Sequence, residues 1–234
     1  DDFGLVKVFE RWDPARKINT MFWPQGEGDY RMQNPYWIAY RNLRLNQKKR
    51  YMLSAQLSYD ITDWLNISGR VRVDNTHTKY EQKLYASSNL TITEESTQGH
   101  YTISKPDETQ TYADVLANIN KRFNDFSLVA NVGASIVNNR YEDLSYRGPI
   151  REKGIPNVFN VFDLDNTKKK ARQDEWQEQT QSVFASVEVG WKSMLYLTLT
   201  GRNDWASQLA NSSTPCFFYP SVGLSGVISE MLTL

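Results

Sequence analysis

The chain has 234 residues, with 27 basic and 27 acidic side chains, a net charge of zero and a mean hydropathy of −0.60. That balance excludes the basic footprint of a nucleic-acid binder, and a single cysteine, Cys216, excludes an internal disulfide. No apolar run approaches the about 20 residues of a transmembrane helix, which leaves open a crossing made by strands.

Residues 1–50 show no sustained alternation. They hold Trp12, Phe22-Trp23-Pro24, Tyr30 and Asn34-Pro35-Tyr36-Trp37, with Gly26 and Gly28 between. Aromatic residues punctuated by Pro and Gly read as an ordered loop region, with room for short strands, leading into a regular strand near Lys48. Regular alternation of apolar and polar residues then sets in. Met52–Asp60 and Leu65–Asn75 are split only by Ile61–Trp64, Thr111–Arg122 and Phe126–Asn138 by Phe123-Asn124-Asp125, and Ser182–Trp191 and Leu195–Asp204 by Lys192–Met194; Phe218–Ser229 follows. The intervening gaps, at about 77–110, 139–180 and 205–217, are long. Strands of about ten residues joined by turns that are short on one side and long on the other are the rhythm of a transmembrane β-barrel.

The barrel reading demands that one parity of every strand be free of charge. On the first hairpin that parity reads Leu53, Ala55, Leu57, Tyr59, then Leu65, Ile67, Gly69, Val71, Val73. On the second it reads Ala113, Val115, Ala117, Ile119, Lys121, then Phe126, Leu128, Ala130, Val132, Ala134, Ile136. The third gives Val183, Ala185, Val187, Val189, Trp191, then Leu195, Leu197, Leu199, Gly201, and the last strand Phe218, Pro220, Val222, Leu224, Gly226, Ile228. Lys121 is the one charge in the set, close to a turn where its stem can snorkel to the headgroups. The opposite parity carries Arg70, Arg72, Asp74, Asp114, Glu188 and Arg202, together with Asp60, Arg122 and several amides; these are the expected lumen-facing polar residues, since a dry core would leave them unpaired. Phe184, Val129 and Val137 depart from the rule on that face. Trp64, Phe123, Phe126, Trp191 and Met194 cluster by the short turns, and Tyr141, Trp205 and Tyr219 at the other strand ends, as two interfacial girdles would.

Motifs of other chemistries dissolve on inspection. Asp163-Leu164-Asp165-Asn166 offers oxygens for a cation but lacks the twelve-residue calcium loop with its closing Glu. His77 and His100, the only histidines, lie in polar sequence and do not suggest a zinc centre. There is no Gly-rich phosphate loop, nucleophile elbow or His-centred triad, and no carboxylate pair is singled out by spacing. No catalytic residue, metal or cofactor is expected, and the chain is not read as an enzyme.

A family resemblance rests on Asn34-Pro35-Tyr36-Trp37, Leu57–Leu65 with Gly69-Arg70, and above all Thr200–Trp205 (TGRNDW) followed by Phe217–Ser225 (FFYPSVGLS) and Ile228-Ser229-Glu230. Together and in this order they resemble the SusC/RagA family of TonB-dependent outer membrane transporters. The resemblance implies an all-β fold, an antiparallel transmembrane β-barrel segment of about 7–8 strands from a larger barrel of about 22, with long extracellular loops. It implies a mid-barrel fragment, with 1–50 an extracellular loop region and 51–234 barrel strands. It further implies an outer membrane location in a Gram-negative bacterium, import of glycans or peptides, a SusD-like surface lipoprotein as partner, and energy from the TonB complex through parts of the protein outside this chain. The loop aromatics Trp12, Trp23, Tyr30, Tyr36 and Trp37 are the candidates for solute or lipoprotein contact; packing of the loop is the alternative, favoured for Tyr36 and Trp37. A passive porin or adhesin barrel would show the same alternation. A soluble glycan-binding β-sandwich fits less well, because sandwich strands run to about 5–6 residues.

Overall fold

The computed structural model describes residues 9–22 and 33–231. A small hairpin, β1 (Glu10–Asp13) and β2 (Ile18–Met21), precedes the helix α1 (Pro35–Arg41). Eight strands follow: β3 (Asn42–Thr62), β4 (Leu65–Tyr85), β5 (Gly99–Ser104), β6 (Asp107–Phe123), β7 (Phe126–Pro149), β8 (Lys170–Trp191), β9 (Leu195–Ala206) and β10 (Cys216–Gly226). They form one sheet in which the order β10-β9-β8-β7-β5-β4-β3 follows the chain, with β6 also placed between β4 and β7. β5 and β6 are one strand interrupted at Lys105-Pro106. Proline brings no N–H to a ladder, and there the Pro106 carbonyl instead accepts from the Thr78 amide at 2.9 Å.

Six of the seven alternating stretches lie wholly in strands, and the last, Phe218–Ser229, is strand only as far as Gly226, with a short helical turn at Ile228–Met231 beyond it; elsewhere the strands reach further. β3, β4, β7 and β8 run for 21, 21, 24 and 22 residues, about twice the 9–11 of a bilayer crossing. The stretches 77–110 and 139–180 therefore contain the second half of β4, β5, the end of β7 and the start of β8 as well as loops. The strict alternation of apolar and polar residues does not continue into these halves. The helix α1 lies within residues 1–50, where the sequence alone suggests a loop region. Asn34 caps it, its side-chain oxygen accepting from the Tyr36 amide at 2.9 Å, and Pro35 occupies the first helical position, where a missing N–H costs nothing.

The chain divides into two compact units. The first, residues 1–49, 76–107 and 142–175, has an ordinary core. Trp37, Leu84, Ala86, Tyr101, Ile150 and Leu164 are buried in it. The second, residues 50–75, 108–141 and 176–234, holds Ala130 as its one buried apolar residue among the described residues. Its large apolar side chains are instead bare: Leu57 is 78% exposed, Leu224 77% and Val222 74%.

Register shows that the bare residues of β8, β9 and β10 share one face. Val187 and Val222 both stand opposite Leu199, and Val189 and Leu224 opposite Leu197, while on the alternate positions Ser186 and Ser221 flank Thr200. Directly opposed residues of an antiparallel pair point to the same side, so the charge-free parity is continuous across β8, β9 and β10. The short turns gather on one side of this unit. The Lys192 amide donates to the Asp125 carbonyl at 2.7 Å, and the Asn120 amide to the Trp64 carbonyl at 2.9 Å. Asn124, Lys192 and Ser193 take positive φ of 47°, 49° and 60° there, the left-handed backbone region used by tight turns that suit the right-handed twist of the flanking strands. The ammonium of Lys121 lies 4.9 Å from the Trp64 ring centre and 5.2 Å from that of Phe123, folded back into the turn aromatics.

Candidate functional site

In the second unit, the polar residues singled out by parity each have a hydrogen-bond partner, in one case another of the set. The Arg70 Nε donates to Asp114 at 2.8 Å, and both Arg70 and Arg72 place their guanidinium 5.3 and 5.4 Å from the ring centre of Tyr112. Arg72 also donates to the Gln110 side chain at 3.2 Å. Asp74 receives a two-pronged bond from Arg50 at 2.9 and 2.5 Å, a partner that parity alone did not name. Glu188 accepts from Thr198 at 3.2 Å, and Arg202 donates to Asp204 at 2.7 Å and to Ser182 at 2.9 Å. Charged side chains at this density, paired with opposite charges and hydrogen-bonding groups, make a laterally connected polar face.

The departures from the parity rule have a steric reason in one case. Phe184 lies over Gly133 on the neighbouring strand, where an added Cβ would come within 2.7 Å of the ring. Tyr196 lies in the same way over Gly190, 2.8 Å from an added Cβ. A glycine leaves a gap in a sheet, and an aromatic ring from the adjacent strand fills it. Arg202 then rests over the Phe184 ring at 5.8 Å.

The first unit carries a second feature, a cleft of about 850 Å³ formed by α1, the start of β3, β4, β5 and the 86–98 loop. Arg44, Gln82, Ile92, Glu94, His100 and Arg147 are among its lining residues. The loop is held by Ser88, whose hydroxyl accepts from the Trp37 indole at 2.9 Å and donates to Asn42 at 2.8 Å. Glu94 gathers two cations, Arg147 at 3.0 Å and Lys170 at 3.8 Å, and faces His100 Nε2 at 3.6 Å. Burial alone would push its carboxyl up, but the Arg147 hydrogen bond and the charges of Lys170, His100 and Arg147 hold it below the usual carboxylate range. His100 moves down as well, mainly through burial, with Glu94 opposing. Its side chain is only 6% exposed, and Nδ1 has no hydrogen-bond partner among the described residues, a situation that costs about 1–3 kcal/mol.

The loop aromatics separate. Trp37 has 0% exposure and presents no surface to a solute. Tyr36 is half-buried, its ring stacked at 6.4 Å on Phe9. Trp12 is 61% exposed on β1. Trp23 and Tyr30 lie outside the described residues. Asp163 and Asp165 are engaged by protein: Arg151 and Asn160 hold Asp163 at 2.7 and 2.5 Å, and the Thr167 hydroxyl holds Asp165 at 2.6 Å. No group of three candidate metal ligands occurs among the described residues.

A sheet with one bare apolar face, short turns gathered on one side and a paired polar face is a piece of the wall of a transmembrane β-barrel. The chain belongs to the TonB dependent receptor-like β-barrel family, whose model matches residues 3–227. Its fold is that of part of the RagAB peptide transporter, with a TM-score of 0.69 at 15% identity over 86% of this chain and 22% of that one. The RagAB peptide importer in its closed-closed and open-open states gives 0.64 and 0.63 at 15% and 16% identity, over 86% and 82% of this chain. The chain therefore spans 21–22% of the length of those proteins. No protein of curated function matches the sequence significantly. These likenesses agree with the SusC/RagA resemblance of the TGRNDW and FFYPSVGLS segments.

Proposed function

We propose that this chain is part of the barrel of a TonB-dependent importer in the outer membrane of a Gram-negative bacterium, taking up glycans or peptides with a SusD-like surface lipoprotein. The observation that carries the reading is the family match over residues 3–227 on a sheet whose two faces differ so completely. In this reading the bare parity meets lipid, and the ion-paired parity lines the lumen, with Arg70, Arg72, Asp74, Asp114, Glu188 and Arg202 along the solute's way. A closed sheet satisfies every backbone group in hydrocarbon, and a hydrated wall lets an oligomer slide without binding tightly anywhere. The first unit and its loops, exposed Trp12 among them, form the surface that meets solute or lipoprotein, with Tyr36 and Trp37 packing the loop. The likeness in fold to a peptide importer supports the import reading. The test is uptake of labelled oligosaccharide and peptide mixtures by cells carrying the full-length gene, with and without TonB, followed by purification with a tag on the barrel. TonB-dependent uptake and a co-purifying lipoprotein are expected; equal uptake without TonB would make the protein a passive porin.

A further inference from the structure

The cleft of the first unit has a chemistry that a barrel wall does not require. Its lining joins three kinds of group: cations, amide and hydroxyl side chains, and aliphatic chains. Arg44 is exposed and makes no ion pair among the described residues. Arg147 and Lys170 share a single carboxylate, Glu94, which also faces His100. The acid is outnumbered, so the wall is left positive. His100 is more than nine-tenths buried and retains an unpaired Nδ1, hydrogen-bonding capacity that the fold leaves unused. Gln82 and Thr102 add further hydrogen-bonding groups, while Ile38 and Ile92 are 46% and 41% exposed on the same cleft.

A volume of about 850 Å³ lies in the range of sites that enclose a ligand of several residues, about 300–1,000 Å³. We infer that this cleft is a binding subsite for acidic peptides, with Arg44 taking a ligand carboxylate, Arg147 sharing it, and Gln82 and Thr102 meeting the peptide backbone. A peptide supplies carboxylates, amides and apolar side chains together, which answers all three kinds of lining group. An oligomer of uronic acids supplies the carboxylates but nothing to cover Ile38 and Ile92. The inference rests on the importer reading and narrows its substrate.

The experiment uses the full-length transporter purified in detergent. Calorimetry compares three probes: a Glu-containing nonapeptide, the same peptide with Gln at each Glu, and oligogalacturonate. Losing one charge-assisted bidentate contact corresponds to about a tenfold change in affinity. Arg44→Gln is therefore expected to weaken the Glu peptide about tenfold and leave the Gln peptide unchanged, with Arg44→Lys recovering part of the loss. Arg44 lies on the exposed side of the cleft and holds no structural bond, so its variants should fold. Undetectable binding of the Glu peptide by the wild type, equal affinity for it in Arg44→Gln, or tighter, Arg44-dependent binding of oligogalacturonate would each overturn the subsite. The uptake assay keeps the two readings apart, because loss of TonB dependence removes the importer, whereas an Arg44→Gln variant with unchanged affinity removes only the peptide cleft.

Discussion

At the scale of single residues, the first unit depends on a few buried groups with defined partners. Trp37 fills its core and its indole N–H reaches Ser88 at 2.9 Å, so the helix and the 86–98 loop share one anchor. Trp37→Ala should cost about 3–5 kcal/mol through lost burial and a cavity, and Asn34→Ala about 1 kcal/mol through the lost cap. Hydrogen exchange should show faster opening of residues 35–41 and 86–98 in both, far more in the tryptophan variant. His100 and Glu94 add a pH dependence of definite sign. Both have depressed pKa values in the folded chain, His100 through burial first and Glu94 through its cations against burial. The unfolded chain then takes up protons at higher pH than the folded one, so stability present at neutral pH is lost as pH falls. The loss begins below the ordinary imidazole value of about 6.5 and continues below the ordinary carboxylate range. Exchange in 86–98, corrected for intrinsic rates, should therefore be faster at pH 5 than at pH 7.5. Replacing His100 by Gln should remove the first part of that change and leave the part due to Glu94.

At the scale of the strand, the two parities make opposite predictions for the same substitution. Leu197→Arg puts a charge in the middle of the bare face, where it costs about 2–4 kcal/mol, so the protein should assemble poorly into membranes and unfold at lower urea. Thr198→Arg, one residue on, points to the face of Glu188, whose carboxylate is 3.2 Å from the Thr198 hydroxyl, and should leave assembly intact. Equal damage from both would contradict the assignment of faces. This alternation was legible in the sequence because lipid imposes it residue by residue: one charge, Lys121, stands on the bare parity, and it is folded into the turn aromatics. Where lipid is absent the signal disappears, which hid the far halves of β4 and β7 within segments read as loops. The helix α1 did leave a signal, the Asn-Pro pair that caps and starts it, but seven residues are too few for a periodicity to stand out. Parity assigned the polar residues to a face but could not name their partners. Arg50 with Asp74 and Tyr112 beneath two arginines depend on register, which the sequence does not carry. The cleft was hidden for a related reason: Arg44, Glu94, His100 and Arg147 come from four separate segments with no shared spacing.

At the scale of the whole molecule, the consequence is a dependence on company. The sheet order runs from β3 to β10 without joining its ends among the described residues, so two edges keep unpaired backbone groups. β10 also carries Phe218, Val222 and Leu224 at 65%, 74% and 77% exposure. An open edge beside an apolar face is a template for association. The first unit buries a core of its own around Trp37, Tyr101 and Ile150, whereas the second relies on lipid and further strands to cover what it leaves bare. The 234 residues expressed alone should therefore aggregate in water and disperse only in detergent, with far-ultraviolet dichroism showing strand in both conditions. Cooperative unfolding of a monomer in plain buffer would mean that the bare face is covered by something within the chain, and the membrane assignment would fall with it. Within the full-length protein the same residues should resist proteolysis in detergent, because closure of the barrel pairs β3 and β10 with neighbouring strands and leaves only the loops exposed. Cleavage should then fall in 86–98, 150–169 or 207–215, between the strands, and cuts inside β9 or β10 would contradict a closed wall.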